Sequence, residues 1–194
     1  MADNSFDVSG GSNQILPNAQ EANQYFYGVS VTTRMAADFE NLRREILKEV
    51  TQETIEELKY YITELPGTKP FEEKLIDGGF SEESIEEATR LKELYRKRAQ
   101  MYRHYPSAQQ INLELLSSIK NSFYTYIFPL IEEGKPLRTV MEQLREKIVL
   151  PTKELLNKNG MHDDKLRYNE DHIYGMIYYL TGMCHLNWKD YDNV

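Results

Sequence analysis

Few residues in this chain could support catalysis or metal binding, and the clearest are the adjacent Cys184 and His185. Neighbouring residues in a helix point in different directions, so these two side chains cannot share one ion. The chain has one cysteine, so a second thiolate cannot complete a zinc site. We therefore predict no metal and no cofactor, and we interpret Cys184 as a buried structural thiol and His185 as a capping side chain.

Two arginine–histidine pairs have a spacing that can carry ribonuclease chemistry. Small all-α nucleases of the HEPN type have an arginine, four to six further residues and then a histidine on a helix. Arg98 with His104 fits this spacing, and so does Arg167 with His172. Because the chain has four histidines and many arginines, such pairs arise by chance. A ribonuclease is therefore an alternative and not the leading hypothesis.

A basic cluster lies between residues 90 and 103. Its members are Arg90, Lys92, Arg96, Lys97, Arg98 and Arg103. Lys92, Arg96 and Arg103 share one side of the predicted helix. A solvated face is the ordinary interpretation of such a cluster, and contact with nucleic acid or an acidic partner is the alternative. Arg98 points instead into an apolar sector, where it needs a carboxylate or carbonyl partner or serves as an interface anchor.

The last helix, predicted to begin at Asn169, has apolar or aromatic residues on almost every side. These are Ile173, Tyr174, Met176, Ile177, Tyr178, Tyr179, Leu180, Met183, Cys184 and Leu186. A helix of this kind is buried in a core or lies in an interface. Gly175 and Gly182 are seven residues apart, so they share one face and favour close approach of a neighbouring backbone.

The elements that position these residues are predicted to be helical, so the fold class is all-α. Residues 34–66 read as one long amphipathic helix, and residues 67–194 as a helical bundle with Ser81 as an N-cap. Pro129 and Pro151 fall inside apolar stripes and predict kinks. Residues 1–33 are rich in Asn, Gly and Ser, and we expect a strand-like segment for docking or oligomerisation.

Composition excludes several classes of protein. The formal charge of the 194 residues is −8, which argues against a protein dedicated to wrapping nucleic acid. No apolar run is long enough to cross a membrane, and the start of the chain does not look like a signal peptide. With a single cysteine, a disulfide framework is excluded, and we expect a soluble protein of the reducing cytoplasm.

Three blocks together resemble a known family. They are residues 74–98, residues 105–134, and the ending YYLTGxCHxxW within 171–188. They are similar to the helical C-terminal domain of effector proteins in bacterial ABC-three component systems, which are anti-phage conflict systems related to Lamassu. The residues that mark the resemblance are Tyr178, Leu180, Thr181, Gly182, Cys184, His185 and Trp188. Met183 departs from the family pattern, which has a polar residue there.

The resemblance implies an assembly or sensing role, because we expect no catalytic domain ahead of the helical part. We therefore expect a non-enzymatic subunit that binds an ABC/SMC-type ATPase or an effector and forms a homo-oligomer through its N-terminal part. The candidate partner-binding residues are Tyr95, Arg98, Tyr178, Cys184, His185 and Trp188. The alternatives are the ribonuclease and a nucleic-acid sensor that uses the basic cluster.

Overall fold

In the computed structural model, side-chain caps begin three of the described helices, at Thr33, Ser81 and Asn169. The structure describes residues 33–47, 54–65 and 69–189, and the strand-like segment predicted for 1–33 lies outside them apart from Thr33. The described residues form helices and connecting turns, which confirms the all-α class. The helices are α1 (Arg34–Glu45), α2 (Glu56–Ile62), α3 (Phe71–Asp77), α4 (Glu82–Met101), α5 (Pro106–Ser122), α6 (Phe128–Glu132), α7 (Leu137–Leu144), α8 (Leu150–Asn159) and α9 (Glu170–Gly182).

The centre of the fold is the pair formed by α4 and α9. Arg98 lies near His172, and Lys92 lies near Gly182, so the two helices run in opposite directions. Their ends are capped as the sequence predicts, with Ser81 accepting from the Ser84 N–H at the start of α4. The apolar residues around α9 are largely buried between α4, α5, α3 and α8, so this helix belongs to the core.

The predicted long helix over 34–66 is two helices in the structure, α1 and α2, both packed on α5. Glu45 accepts hydrogen bonds from the N–H and hydroxyl of Ser107, at 3.1 and 2.6 Å. The Ile55 N–H donates to Oε1 of Gln109 at 2.6 Å. Both residues are thus held at the first turns of α5, whereas one continuous helix would separate them by about 15 Å. Tertiary bonding to α5 therefore overrides the helical pattern here.

The two predicted proline kinks are wide helical turns. A π-helical turn at Phe123–Ile127 leads into α6, and another at Arg145–Val149 joins α7 to α8. In each, the N–H preceding the proline bonds to the carbonyl five residues back, from Phe128 to Phe123 and from Leu150 to Arg145. A proline lacks an N–H and its ring displaces the carbonyl four residues back, so the helix widens by one residue and continues.

The close approach of α9 to α4 depends on Gly175. A Cβ built on this glycine would lie 2.4 Å from the Leu91 carbonyl oxygen and 2.8 Å from the Tyr95 Cβ. At Gly182, seven residues further on, the nearest atom would be the Lys92 Cδ at 3.5 Å. The predicted close approach is therefore found at Gly175, while Gly182 faces only flexible side chains.

We predict that Gly175→Ala lowers the free energy of unfolding by about 2–3 kcal/mol, because α4 and α9 must move apart to admit the methyl group. Gly182→Ala is the matched control and should be neutral or stabilising by up to about 1 kcal/mol, since alanine is the better helix former. Urea unfolding of the two variants measures both values. Equal losses in the two variants would contradict the packing of α4 on α9 described above.

Candidate functional site

The carboxyl end of α9 is buried, and its polar groups are bonded to distant parts of the chain. The Thr181 hydroxyl donates to the Ile177 carbonyl at 3.0 Å and accepts from Nε1 of Trp188, also at 3.0 Å. The Thr181 carbonyl accepts a hydrogen bond from Nζ of Lys74 at 3.0 Å. Lys74 is itself buried, so its ammonium group stands at the negative end of the α9 dipole.

Cys184 and His185 form the turn that ends α9. Cys184 has a left-handed backbone, with φ of 68°. Its N–H donates to the Thr181 carbonyl at 3.1 Å, and the His185 N–H donates to the Leu180 carbonyl at 2.8 Å. These two bonds form a Schellman motif with cysteine in the position that usually holds glycine. The backbone N–H groups of Cys184 and His185 thus end α9.

The His185 side chain connects this turn to α2. Its Nε2 is bonded to the Tyr60 carbonyl at 2.8 Å, and its ring lies 4.6 Å from the Tyr60 ring and 5.6 Å from the Tyr61 ring. Since a carbonyl accepts only, Nε2 carries the proton and Nδ1 does not. Nδ1 is buried and has no hydrogen-bond partner in the described part of the chain.

Next to this contact, three tyrosines lie around Lys120, and Phe128 packs against one of them. We call Tyr60, Tyr61, Tyr124 and Phe128, together with Lys120, the aromatic surface. Nζ of Lys120 donates to the Tyr60 hydroxyl at 2.7 Å and lies 4.7 Å from the centre of the Tyr60 ring. The Tyr124 ring is 5.3 Å from Phe128. Tyr60 and Tyr124 are 47% and 38% exposed, so large aromatic area faces solvent at this point.

This surface was not predicted from the sequence because its members come from four elements. Tyr60 and Tyr61 belong to α2, Lys120 to α5, Tyr124 to the π-helical turn and Phe128 to α6. The usable signal was the run FYTYIF at 123–128, in which aromatic residues follow one another too closely for a single buried stripe.

Several candidate partner-binding residues lie inside the fold. Tyr95, Tyr178 and Trp188 are buried, and His185 is only 2% exposed. The Tyr95 hydroxyl donates to Oδ1 of Asn112 at 2.9 Å, while the Trp188 ring lies 4.9 Å from Phe80 and 5.4 Å from Phe123. Within this chain these side chains hold helices together.

Arg98 bonds backbone carbonyls. These are one of the two kinds of partner predicted for an arginine in an apolar sector. Its Nη1 donates to the carbonyls of Lys165 and Leu166 at 3.0 and 3.1 Å. The same loop is held from inside by Asp163, whose carboxylate accepts from the N–H groups of three residues. Arg98 thus fastens the loop that leads into α9.

The basic cluster is less positive than its composition indicates. Arg90 is paired with Glu87 and Arg96 with Glu93, each through an exposed ion pair three residues apart. Nζ of Lys92 lies 3.9 Å from the centre of the Phe71 ring. Lys97 and Arg103 are exposed. Ion pairs of this kind are typical of a solvated helix face.

The two arginine–histidine pairs have different structural roles. Arg98 of the first pair is bonded to the loop at 165–166, whereas His104 accepts from Nε of Arg103 at 2.8 Å. His172 of the second pair is buried and forms a capping box with Asn169 at the start of α9. Arg98 lies close enough to His172 to lower its pKa, although burial is the larger cause. Neither pair presents an exposed histidine beside its arginine.

The described residues hold no metal site of the usual kind. Among them, no group of three or more His, Cys, Asp or Glu side chains could hold a metal ion. No helix in the described ranges combines the length and the apolar character needed to cross a membrane.

The comparisons with known proteins gave one finding. Residues 70–188, more than half of the chain, match the family described as C-terminal domain 9 of the ABC-three component (ABC-3C) systems. This range begins just before α3 and ends at Trp188, so it includes the bonded end of α9. No curated protein and no solved structure matches the chain significantly.

His185 provides a test of the buried end of α9. Burial lowers its pKa below the ordinary value of 6.5, and the ammonium groups of Lys120 and Lys74 act in the same direction against the Tyr60 bond. The unfolded chain therefore binds the proton more tightly than the folded chain. This contribution to stability is complete above about pH 6.5 and is lost as the pH falls below that value.

We predict that the free energy of unfolding falls between pH 7.5 and pH 5.5, and that His185→Gln makes this fall shallower. Glutamine keeps an N–H for the Tyr60 carbonyl but does not titrate. His172, whose pKa burial also lowers, retains part of the slope. His162→Gln, in an exposed position, is the control and should keep the wild-type slope. A wild-type slope in His185→Gln would show that His185 is not buried against α2.

Proposed function

Because the chain belongs to the family of C-terminal domain 9 of the ABC-three component systems, we propose that it is a non-enzymatic docking subunit of such a system. ABC-three component systems are defence-related. In this proposal the chain acts in the bacterial cytoplasm and contributes binding rather than chemistry. Its partner is a protein of the same system, an ABC/SMC-type ATPase or an effector.

The observation that carries the proposal is the aromatic surface. Tyrosine is enriched at the centres of protein interfaces because it buries a large area at low entropic cost and keeps a polar group for hydrogen bonding. Tyr60 and Tyr124 offer this chemistry around a cation, Lys120. The lysine favours a partner with a carboxylate opposite it, which would fix the orientation of docking.

The structural roles of His172 and His185 support a function without catalysis. His172 caps the start of α9 and His185 holds α2 to its end, so both act in folding. A general acid or base has to reach a substrate, and these two rings are buried.

We predict that Tyr124→Ala and Tyr60→Ala each weaken binding to the ABC/SMC-type ATPase of the same system by about thirtyfold, as removal of a central interface tyrosine does. Calorimetric titration of the purified proteins measures the effect. Tyr126→Ala is the matched control, because Tyr126 is 51% exposed on the same π-helical turn but lies near Lys147. It should leave the affinity unchanged.

Thermal unfolding followed by circular dichroism shows whether each variant remains folded. Full affinity in a folded Tyr124→Ala variant would refute docking through the aromatic surface. Absence of binding between the wild-type chain and both candidate partners would refute the proposed function itself.

Self-association is a second part of the proposal, assigned to the N-terminal residues. Thr33–Val194 forms a compact unit, so removal of residues 1–32 should leave a folded protein. We predict that light scattering gives a multiple of 22.8 kDa for the full chain and a smaller assembly for the shortened one. A full-length monomer would contradict this part of the proposal.

A further inference from the structure

A cavity of about 350 Å³ lies between α2, α4, α5 and α9. This volume falls within the range of sites that bind small molecules. The cavity lies apart from the aromatic surface, since none of Tyr61, Lys120, Tyr124 and Phe128 lines it. A ligand of this cavity is therefore independent of the docking proposed above.

The interior of the cavity is aromatic and apolar. The half-buried Tyr179 forms an aromatic wall, and its ring packs edge to face on the buried Tyr95 ring with 5.3 Å between the centres. Leu58, Ile62 and Ala99 add aliphatic lining. A planar ring in the cavity would contact the aromatic wall and these aliphatic side chains.

The cavity is lined by basic side chains and by no carboxylate, although the chain as a whole has a charge of −8. The basic lining residues are Arg96, Arg103 and His104. Glu93 binds Arg96 from outside the cavity, in an exposed ion pair. Exposed pairs of this kind contribute little to stability, so an anion inside the cavity can compete for the guanidinium group.

A buried glutamine fixes the two sides of the cavity relative to each other. Gln109 accepts from the Ile55 N–H at 2.6 Å, just before α2, and its Nε2 donates to the Arg103 carbonyl at 2.8 Å, just after α4. Gln109 is 2% exposed. The cavity is thus held open by a specific bonded side chain, and binding would need little rearrangement.

We propose that this cavity binds a nucleoside monophosphate. The arginine side chains of Arg96 and Arg103 match the two-pronged geometry of a phosphate group. The base lies against the Tyr179 wall. Gln100, whose amide oxygen accepts from Arg96 at 3.4 Å, also lines the cavity, and an amide can bond a base edge. One phosphate, one sugar and one base account for the volume.

The test is calorimetric titration of the full chain with AMP, GMP, CMP and UMP in turn. We expect at least one of them to bind saturably with one site per chain. Adenosine or the corresponding nucleoside should bind about tenfold more weakly or worse, because it lacks the anion that the arginines recognise. Inorganic phosphate should bind more weakly than the nucleotide, because it leaves the aromatic wall empty.

Variants then locate the site. Arg96→Gln and Arg103→Gln should each weaken binding about tenfold or more. Arg90→Gln is the matched control, since Arg90 forms the same kind of exposed pair on the same helix but does not line the cavity. Absence of saturable binding for all four nucleotides would overturn the proposal. Unchanged affinity in both arginine variants, or equal affinity for inorganic phosphate, would overturn it as well.

Discussion

The carboxyl end of α9 is buried, and a buried helix end leaves carbonyl groups that need partners. The partners come from α3 and from the residues that follow α9. Lys74 bonds the Thr181 carbonyl, Trp188 bonds the Thr181 hydroxyl, and the N–H groups of Cys184 and His185 bond the carbonyls of Thr181 and Leu180. Loss of these bonds would leave unsatisfied polar groups in the interior.

The same constraint places the surface on which the proposed function depends. His185, the last residue of the turn, holds the Tyr60 carbonyl, and this contact sets α2 beside α5. Tyr60 therefore lies next to Lys120 and within the electrostatic reach of Tyr124. Of the residues that mark the resemblance, Gly182 and Cys184 are partly buried and the others are buried. Tyr60 and Tyr124 of the aromatic surface are exposed. In the proposed function, the buried side chains specify the fold and the exposed ones contact the partner.

Sequence reasoning succeeded where the physics is local. Ser81 and Asn169 begin helices because their side chains accept from the first turn, and the apolar faces of α9 indicated a core helix. It failed where distant contacts decide. The break between α1 and α2 follows from two bonds to α5, which no periodicity of residues 34–66 reveals. The aromatic surface was missed for the same reason, since three separate elements and a π-helical turn bring its members together.

The most direct test of the account is amide hydrogen exchange of the chain alone and in complex with the ABC/SMC-type ATPase of its system. If the aromatic surface is the docking site, added protection should be confined to residues 56–62 and 120–128, with residues 137–159 unchanged. Protection restricted to residues 137–159, with exchange at 56–62 and 120–128 as in the isolated chain, would contradict it.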